Sequence, residues 1–223
     1  EIIQKPYPEP LLFGLAGAAY QTMLRNTLAS PDIIGISYGA SAAAVVGIVF
    51  FGLSGTAVST VAILVSLAVA VLIYLLAFKG GVNGTRLILV GIGIAALLES
   101  VVAYTLMRAG EWNLQEAIRW LSGSVNGATW GQLMPLLIAL PLFGGVLLSR
   151  TRDLETLRMG DDVAAALGVP VTVTRIVVLV AATVLVAFAT AAAGPISFVA
   201  FLAGPIAAQV VGSPLLERRV EPR

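Results

Sequence analysis

The sequence predicts an all-α fold: a polytopic bundle of transmembrane helices forming one domain over residues 1–223. Three observations carry that expectation. Of the residues, 58% are hydrophobic and only 11% charged, about half the charged share of an ordinary soluble domain. The mean hydropathy is +0.97. The apolar residues stand in long blocks with the charges clustered apart, so water is the wrong solvent for this chain.

A spanning helix needs about 20 predominantly apolar residues. By that ruler the chain holds six to seven membrane segments. They are Leu11–Leu24, Ile36–Leu53, Val58–Phe78, Leu87–Met107, Trp130–Leu148, Ile176–Ala193 and a shorter Ile196–Val211. The first is short, and its helix is expected to begin before its apolar core. The last carries Gly194-Pro195 and Gly204-Pro205. Proline removes a backbone donor and breaks helices, which a membrane tolerates only where protein or a water-filled path covers the freed groups. Gly194–Val211 is therefore expected to be a broken or re-entrant segment. Small residues share helix faces at Gly39, Ala43 and Gly47, and at Gly91 and Ala95. Such faces let helices approach closely in lipid, though a chain with 23 glycines also makes them by chance.

Lysine and arginine set the orientation. With the loop Arg25–Gly35 placed in the cytoplasm, alternation puts Arg25, Lys79, Arg86, Arg150, Arg152, Arg158, Arg175, Arg218, Arg219 and Arg223 on that side. Lys5, Arg108 and Arg119 fall opposite. Ten against three is a clear inside bias and uses every basic residue.

Composition also excludes function classes. There is no Cys and no His, which removes thiol chemistry, the commonest acid–base catalyst and the commonest transition-metal ligands. No paired carboxylates lie inside a span, so no catalytic residue, metal site or cofactor is expected. A net charge of +1 argues against a nucleic-acid partner. No G-x-x-x-x-G-K-[ST] occurs, so this chain has no P-loop of its own. Glu1–Glu9 lacks the basic region and apolar core of a signal peptide.

Three polar segments and one acid inside a span carry the remaining information. Thr151–Pro170 is predicted to be two short helices with a break. Asp153–Met159 is helix-compatible, Gly160 interrupts it, and Asp161 is placed to cap a second helix, Asp162–Leu167. Gly168 then stops that helix and Pro170 forbids its continuation. The elbow is expected to expose Leu157, Met159, Val163 and Leu167 beside charged residues. That pattern suits docking to a soluble partner, and it also suits an ordinary capped loop. Arg25–Ser41, with Asn26, Ser30-Pro31-Asp32 and Gly35, is turn chemistry leading into a helix of small residues. Gly110–Trp130 holds all three tryptophans, Trp112, Trp120 and Trp130, around an amphipathic stretch. It reads either as an interfacial anchor or as a lid over a path. Glu99 lies well inside a span, where an acid is costly; it is expected either to hydrogen-bond between helices or to face a transport path.

Four of these stretches resemble, in order and spacing, the permeases of ABC importers for ferric siderophores, haem and cobalamin. Leu24–Ser41 (LRNTLASPDIIGISYGAS) is similar to the family's first cytoplasmic signature, with Arg25, Asn26, Pro31, Gly35 and Gly39. Ala117–Trp130 (AIRWLSGSVNGATW) resembles its external W-x-x-G-S segment. Arg152–Val171 (RDLETLRMGDDVAAALGVPV) is similar to its coupling-helix segment, and Gly194–Gly212 to its proline-bearing stretch. The resemblance implies a subunit of about ten helices that works in pairs. Two cytoplasmic ATP-binding subunits would dock on the elbow, and an extracytoplasmic substrate-binding protein would deliver cargo.

Carried onto this chain, the coupling residues would be Arg152, Asp153, Leu154, Leu157, Met159, Gly160, Asp161, Val163, Ala164, Leu167 and Gly168. The gate or translocation path would involve Glu99, Trp120, Gly123, Ser124, Gly194, Pro195, Gly204 and Pro205. Ferric siderophore import across the bacterial inner membrane is the favoured function. The chain also departs from the family. One helix before Leu11 and two after Gly212 have no counterpart here, the tail Ser213–Arg223 is short and charged, and Gln209 stands where the family carries a basic residue. A truncated, non-transporting remnant is the first alternative. An ion-coupled secondary transporter is the second, weakened by a single intramembrane acid and no evident repeat.

Overall fold

The computed structural model describes residues 8–26, 29–31, 34–78, 84–124, 130–196 and 198–212, and every regular element among them is helical. Lys5, Asp32, Lys79, Arg218, Arg219, Arg223 and the tail after Gly212 lie outside the described residues. The helices are α1 (Glu9–Leu24), α2 (Ile36–Phe51), α3 (Thr56–Ala77), α4 (Gly84–Arg108), α5 (Glu111–Ser122) and α6 (Trp130–Ala139). After a π-helical turn at Leu140–Gly144 come α7 (Gly145–Ser149), α8 (Thr151–Arg158), α9 (Asp161–Ala166), α10 (Val171–Ala193) and α11 (Val199–Gly212).

All seven predicted membrane segments are helical, but length separates them. Helices α3, α4 and α10, of 22, 25 and 23 residues, are long and apolar enough to cross a membrane unaided. The run Leu133–Ser149 bends by 47° into α8 and makes a fourth span if the bent pair counts as one. Helices α1 and α2 have 16 residues each. At 1.5 Å per residue they reach about 24 Å, short of a hydrocarbon core of about 30 Å.

Helix α10 is the axis of the bundle. The buried share of its apolar window is 72%, against 22% for α4. Its Val178, Ala182, Leu185, Val186 and Ala189 join Leu12, Phe13, Ala16, Tyr20 and Met23 of α1 in the main core. The Tyr20 hydroxyl and the Thr183 hydroxyl are hydrogen-bonded at 2.7 Å, so neither buried polar group is orphaned.

The small-residue faces make contacts of unequal kind. A Cβ on Gly39 would lie 3.1 Å from the Val69 side chain, so α2 and α3 meet closely there. A Cβ on Gly91 would lie 2.6 Å from the Ile34 carbonyl oxygen, which lets the chain before α2 rest on α4. Gly47 instead faces Leu53 just beyond its own helix. Close packing therefore uses Gly39 and Gly91 but not the whole stripe.

Each break has a local cause. Pro141 cannot donate to the helical ladder, and a π-helical turn forms around it. Gly194 (φ 77°, ψ 179°) ends α10 in a backbone region open essentially to glycine alone. The second Gly-Pro does not break its helix, contrary to the expectation for Gly204-Pro205. Helix α11 runs through Pro205. The carbonyl that Pro205 leaves without a partner belongs to Phe201, and Gln21 Nε2 of α1 donates to it at 2.9 Å. An outside donor has replaced the missing backbone one.

Candidate functional site

The elbow is two helices, as predicted, set between α7 and α10. Gly160, at φ 122°, separates α8 from α9. Gly168, at φ 83°, ends α9. Its N–H bonds the Ala165 carbonyl at 3.0 Å while the Val169 N–H reaches the Ala164 carbonyl at 2.9 Å. This paired closure satisfies two of the last-turn carbonyls.

Asp161 does not cap α9. It is the first residue of that helix, and Gly160 holds the cap position without a side-chain bond. The Asp161 carboxylate is drawn instead to two arginines: Arg25 Nη2 and Arg175 Nη2 each lie 2.8 Å from Oδ1. Asp153 is anchored in parallel. Its Oδ2 accepts from Arg150 Nη1 at 3.1 Å and from the Thr174 hydroxyl at 3.3 Å. Two of the elbow's four acids, Asp153 and Asp161, thus bind the consecutive residues Thr174 and Arg175 near the start of α10. The Asp161 side chain is 40% exposed, so each pair contributes roughly 0–1 kcal/mol; their effect is geometric more than energetic.

Arg25 is held in an unusual backbone state. It follows α1 with φ 50° and ψ 38°, a left-handed conformation that costs a side-chain-bearing residue about 1–2 kcal/mol. Its N–H bonds the Thr22 carbonyl and the Asn26 N–H bonds that of Gln21, the closure usually given to glycine. The arginine in that position sends its guanidinium to Asp161. Asn26 also accepts from the Ala29 N–H, and the Pro31 carbonyl accepts from the Ile36 N–H, so this loop runs into α2 through successive turns. Gly35 takes φ 94° at the start of α2.

The apolar residues of the elbow divide by direction. Leu157 is 1% exposed and Leu154 7%, and both belong to the main core with Ala164. The expectation that Leu157 is exposed is therefore corrected: α8 is short and amphipathic, and its apolar stripe turns inward because that is where it can be covered. Met159, Val163 and Leu167 do face outward, at 62%, 45% and 64% exposure. Arg152 is exposed beside them.

At the opposite end of α10 a second junction forms. The Ser124 N–H donates to the Ala193 carbonyl at 2.6 Å, and the Ser59 hydroxyl to the Ala191 carbonyl at 2.7 Å. A Cβ on Gly194 would lie 2.6 Å from the Trp120 carbonyl oxygen and 2.7 Å from the Gly123 Cα. Two glycines with positive φ, Gly123 at 63° and Gly194 at 77°, thus allow backbone to meet backbone. Helix α5 lies with Ala117 buried among Ala44, Val45, Ile48 and Val58, and Trp120 is half-buried against Ala40, Ala62 and Ala191. Trp112 is 86% exposed, in keeping with an interfacial anchor. The side chain of Trp130 and residues 125–129 lie outside the described residues.

The predicted gate residues therefore separate. Trp120, Gly123, Ser124, Gly194 and Pro195 come together at this junction. Gly204 and Pro205 sit against α1 instead, where a Cβ on Gly204 would lie 2.7 Å from Gln21 Oε1. Glu99 stands exposed on α4, apart from both groups. Thr105 of the same helix is bonded within its own turn, to the Val101 carbonyl. No interhelical hydrogen bond from Glu99 is found among the described residues, because α4 turns that flank away from its neighbours. Sequence reasoning missed Gln21 and Thr174 and used Arg175 only for its charge. An amide inside the short apolar block Leu11–Leu24 was the available signal for Gln21. Among the described residues no group of His, Cys, Asp or Glu is placed to hold a metal ion.

The profile of the FecCD transport family matches residues 11–218. The chain belongs to that family. A ferric enterobactin transport system permease protein, FepG of Escherichia coli, is 40% identical over 202 residues, covering 90% of this chain and 61% of that protein. An iron(3+)-hydroxamate import system permease protein, FhuG of Bacillus subtilis, is 36% identical over 209 residues, with 89% and 61% covered. This FecCD chain thus spans about three-fifths of the length of these curated relatives. A solved structure described as an inward-facing conformation of a metal-chelate type ABC transporter superposes with a TM-score of 0.85 at 28% identity. It covers 95% of this chain and 69% of its own. The all-helical fold and the membrane character of the FecCD chain follow from these matches together with the three long apolar helices.

Proposed function

We propose that this chain acts as a transmembrane permease subunit of an ATP-driven importer that carries ferric siderophores across the bacterial inner membrane. The observation that carries the proposal is the build of the elbow. Met159, Val163 and Leu167 stand exposed on a base whose Leu154, Leu157 and Ala164 are buried in the core. Asp153 and Asp161 tie that base to the first turn of α10. A partner gripping the exposed residues moves α10 and not just a loop. ATP hydrolysis is assigned to separate cytoplasmic ATP-binding subunits, a reading supported by membership of the FecCD transport family.

Residues 151–170 form the coupling segment within one permease domain. Helix α10, about 34 Å long at 1.5 Å per residue, links the elbow to the junction of Gly123, Ser124 and Gly194. A tilt at the inner end displaces the outer one, and the glycines there absorb the change at low backbone cost. We assign that junction to the outer gate and Glu99, on the least covered span, to the translocation path. Arg25, Arg150 and Arg175 gather at the elbow end, in support of a cytoplasmic elbow. A second permease subunit covers the remaining bundle surface, and an extracytoplasmic binding protein delivers cargo. Siderophore as cargo rests on the relatives named for ferric enterobactin and iron hydroxamate.

Reconstitution of the permease with its ATP-binding subunits and binding protein in liposomes tests the reading. Ferric siderophore is expected to stimulate ATP hydrolysis and to be taken up, ahead of haem and cobalamin. Uptake that survives ATP depletion and collapses with an ion gradient would overturn it.

A further inference from the structure

The end of helix α1 and the residue that follows it reach three neighbours. The Tyr20 hydroxyl meets Thr183 of α10, Gln21 Nε2 meets the Phe201 carbonyl of α11, and Arg25 meets Asp161 of α9. The middle contact is chemically distinct. In an uninterrupted helix the Phe201 carbonyl would accept from the N–H of residue 205, but Pro205 has none. A carbonyl left bare inside a bundle in lipid is costly, so a donor must come from elsewhere. Gln21 supplies it.

The surface between α1 and α11 is nearly featureless around that bond. A Cβ on Gly17 would collide with the Ala200 carbonyl, and one on Gly14 would lie 3.2 Å from the Ala203 Cβ. Gly204 faces Ala18 as well as Gln21. No large side chain stands between the two backbones, so a shift of α11 repacks no large side chain once the Ala200 carbonyl leaves the notch at Gly17. The Gln21–Phe201 bond is the directional feature of this surface. A side-chain amide can swing away on its own torsions, whereas a backbone N–H can leave only by unwinding the helix.

We propose that Gln21 is a positioning residue that acts as a releasable latch: it holds the proline-bearing α11 to α1 in one state, and letting go frees α11 to slide when the elbow moves. This deepens the permease reading and rests on it for its role in transport. The latch itself does not. Pro205 then has a definite purpose. It converts a permanent backbone bond into one that can be made and broken. Arg25, one turn beyond Gln21, links the same helix to the elbow, so elbow motion and latch state are mechanically connected.

The test uses the full chain in lipid nanodiscs and in the assembled importer, comparing the parent with Gln21→Leu, Pro205→Ala and the double variant. Gln21→Leu is expected to raise amide hydrogen exchange in the first turns of α11 about tenfold, the usual consequence of orphaning one buried acceptor. In the double variant the backbone N–H restored at position 205 serves Phe201, and exchange returns to within about twofold of the parent. Uptake per ATP hydrolysed falls by at least about fivefold in Gln21→Leu and stays low in the double variant, whose restored bond cannot be released. Unchanged exchange in Gln21→Leu overturns the proposal. So does a double variant that recovers both protection and uptake, because Gln21 would then be a fixed staple. If the parent assembly moves no ferric siderophore, the proposed cargo fails, and the latch is read from exchange in the first turns of α11 of the parent assembly with and without bound ATP: protection that is the same in both overturns it.

Discussion

Replacing Gly194 by alanine tests whether the junction at the far end of α10 is a fixed meeting of two backbones. The local backbone, φ 77° and ψ 179°, is nearly closed to residues with a Cβ and carries a cost of about 1–3 kcal/mol. The new methyl would also lie 2.6 Å from the Trp120 carbonyl oxygen and 2.7 Å from the Gly123 Cα. Both are main-chain atoms, so no rotamer change relieves the clash. The end of α5 must withdraw, which breaks the Ser124–Ala193 hydrogen bond and forfeits about 1 kcal/mol more. The expected loss is therefore about 2–4 kcal/mol. Gly52 provides the control. It has φ 61° and ψ 27° with nothing within 4 Å of a built Cβ, so Gly52→Ala costs only the left-handed backbone term, about 1 kcal/mol. Equilibrium unfolding of both variants in mixed micelles with increasing SDS, followed by far-ultraviolet circular dichroism, measures the difference. A Gly194→Ala protein no less stable than Gly52→Ala would refute the docking of α5 on the α10 terminus.

Other consequences follow from the same geometry. Leu157→Ala should destabilise the chain by about 2–5 kcal/mol because the side chain is buried, whereas Leu167→Ala should change stability by less than about 0.5 kcal/mol and weaken binding of the ATP-binding subunit. Micelle unfolding and co-purification read these separately. Asp161→Asn should cost at most about 2 kcal/mol, with a loss that shrinks in high salt, as expected for a half-exposed carboxylate between two guanidinium groups. Tyr20→Phe should cost about 1–2 kcal/mol by orphaning the Thr183 hydroxyl, and adding Thr183→Val should recover part of it; a double-mutant cycle checks the coupling.

Much of the fold was legible because glycine and proline act locally. Gly160, Gly168 and the Gly194-Pro195 pair each end or begin an element through their own backbone limits, with no need of a distant partner. Gly39 and Gly91 were candidates for close contact from their spacing alone, but their partners, Val69 and Ile34, were not legible. What could not be read was direction and partnership. Leu157 and Leu167 are ten residues apart and chemically alike, yet one lies in the core and the other outside it. Only the 47° bend before α8 and the turn at Gly160 decide which side is covered. Asp161 had every attribute of a cap, but two arginines from α10 and the end of α1 outcompete the α9 N–H groups. Pro205 looked like a break because its remedy, Gln21, lies 180 residues before Phe201, whose carbonyl it serves.

The most direct measurement tests the proposal that an ATP-binding subunit takes hold of the elbow. The chain contains no native cysteine, so single cysteines at positions 157 and 167 can be followed without background. Using a membrane-impermeant maleimide on inside-out vesicles, the Leu167→Cys protein should label quickly and lose that labelling when the ATP-binding subunit is added, while Leu157→Cys should stay unlabelled throughout. Labelling of Leu167→Cys only from the periplasmic face, or labelling indifferent to the bound subunit, would contradict the account.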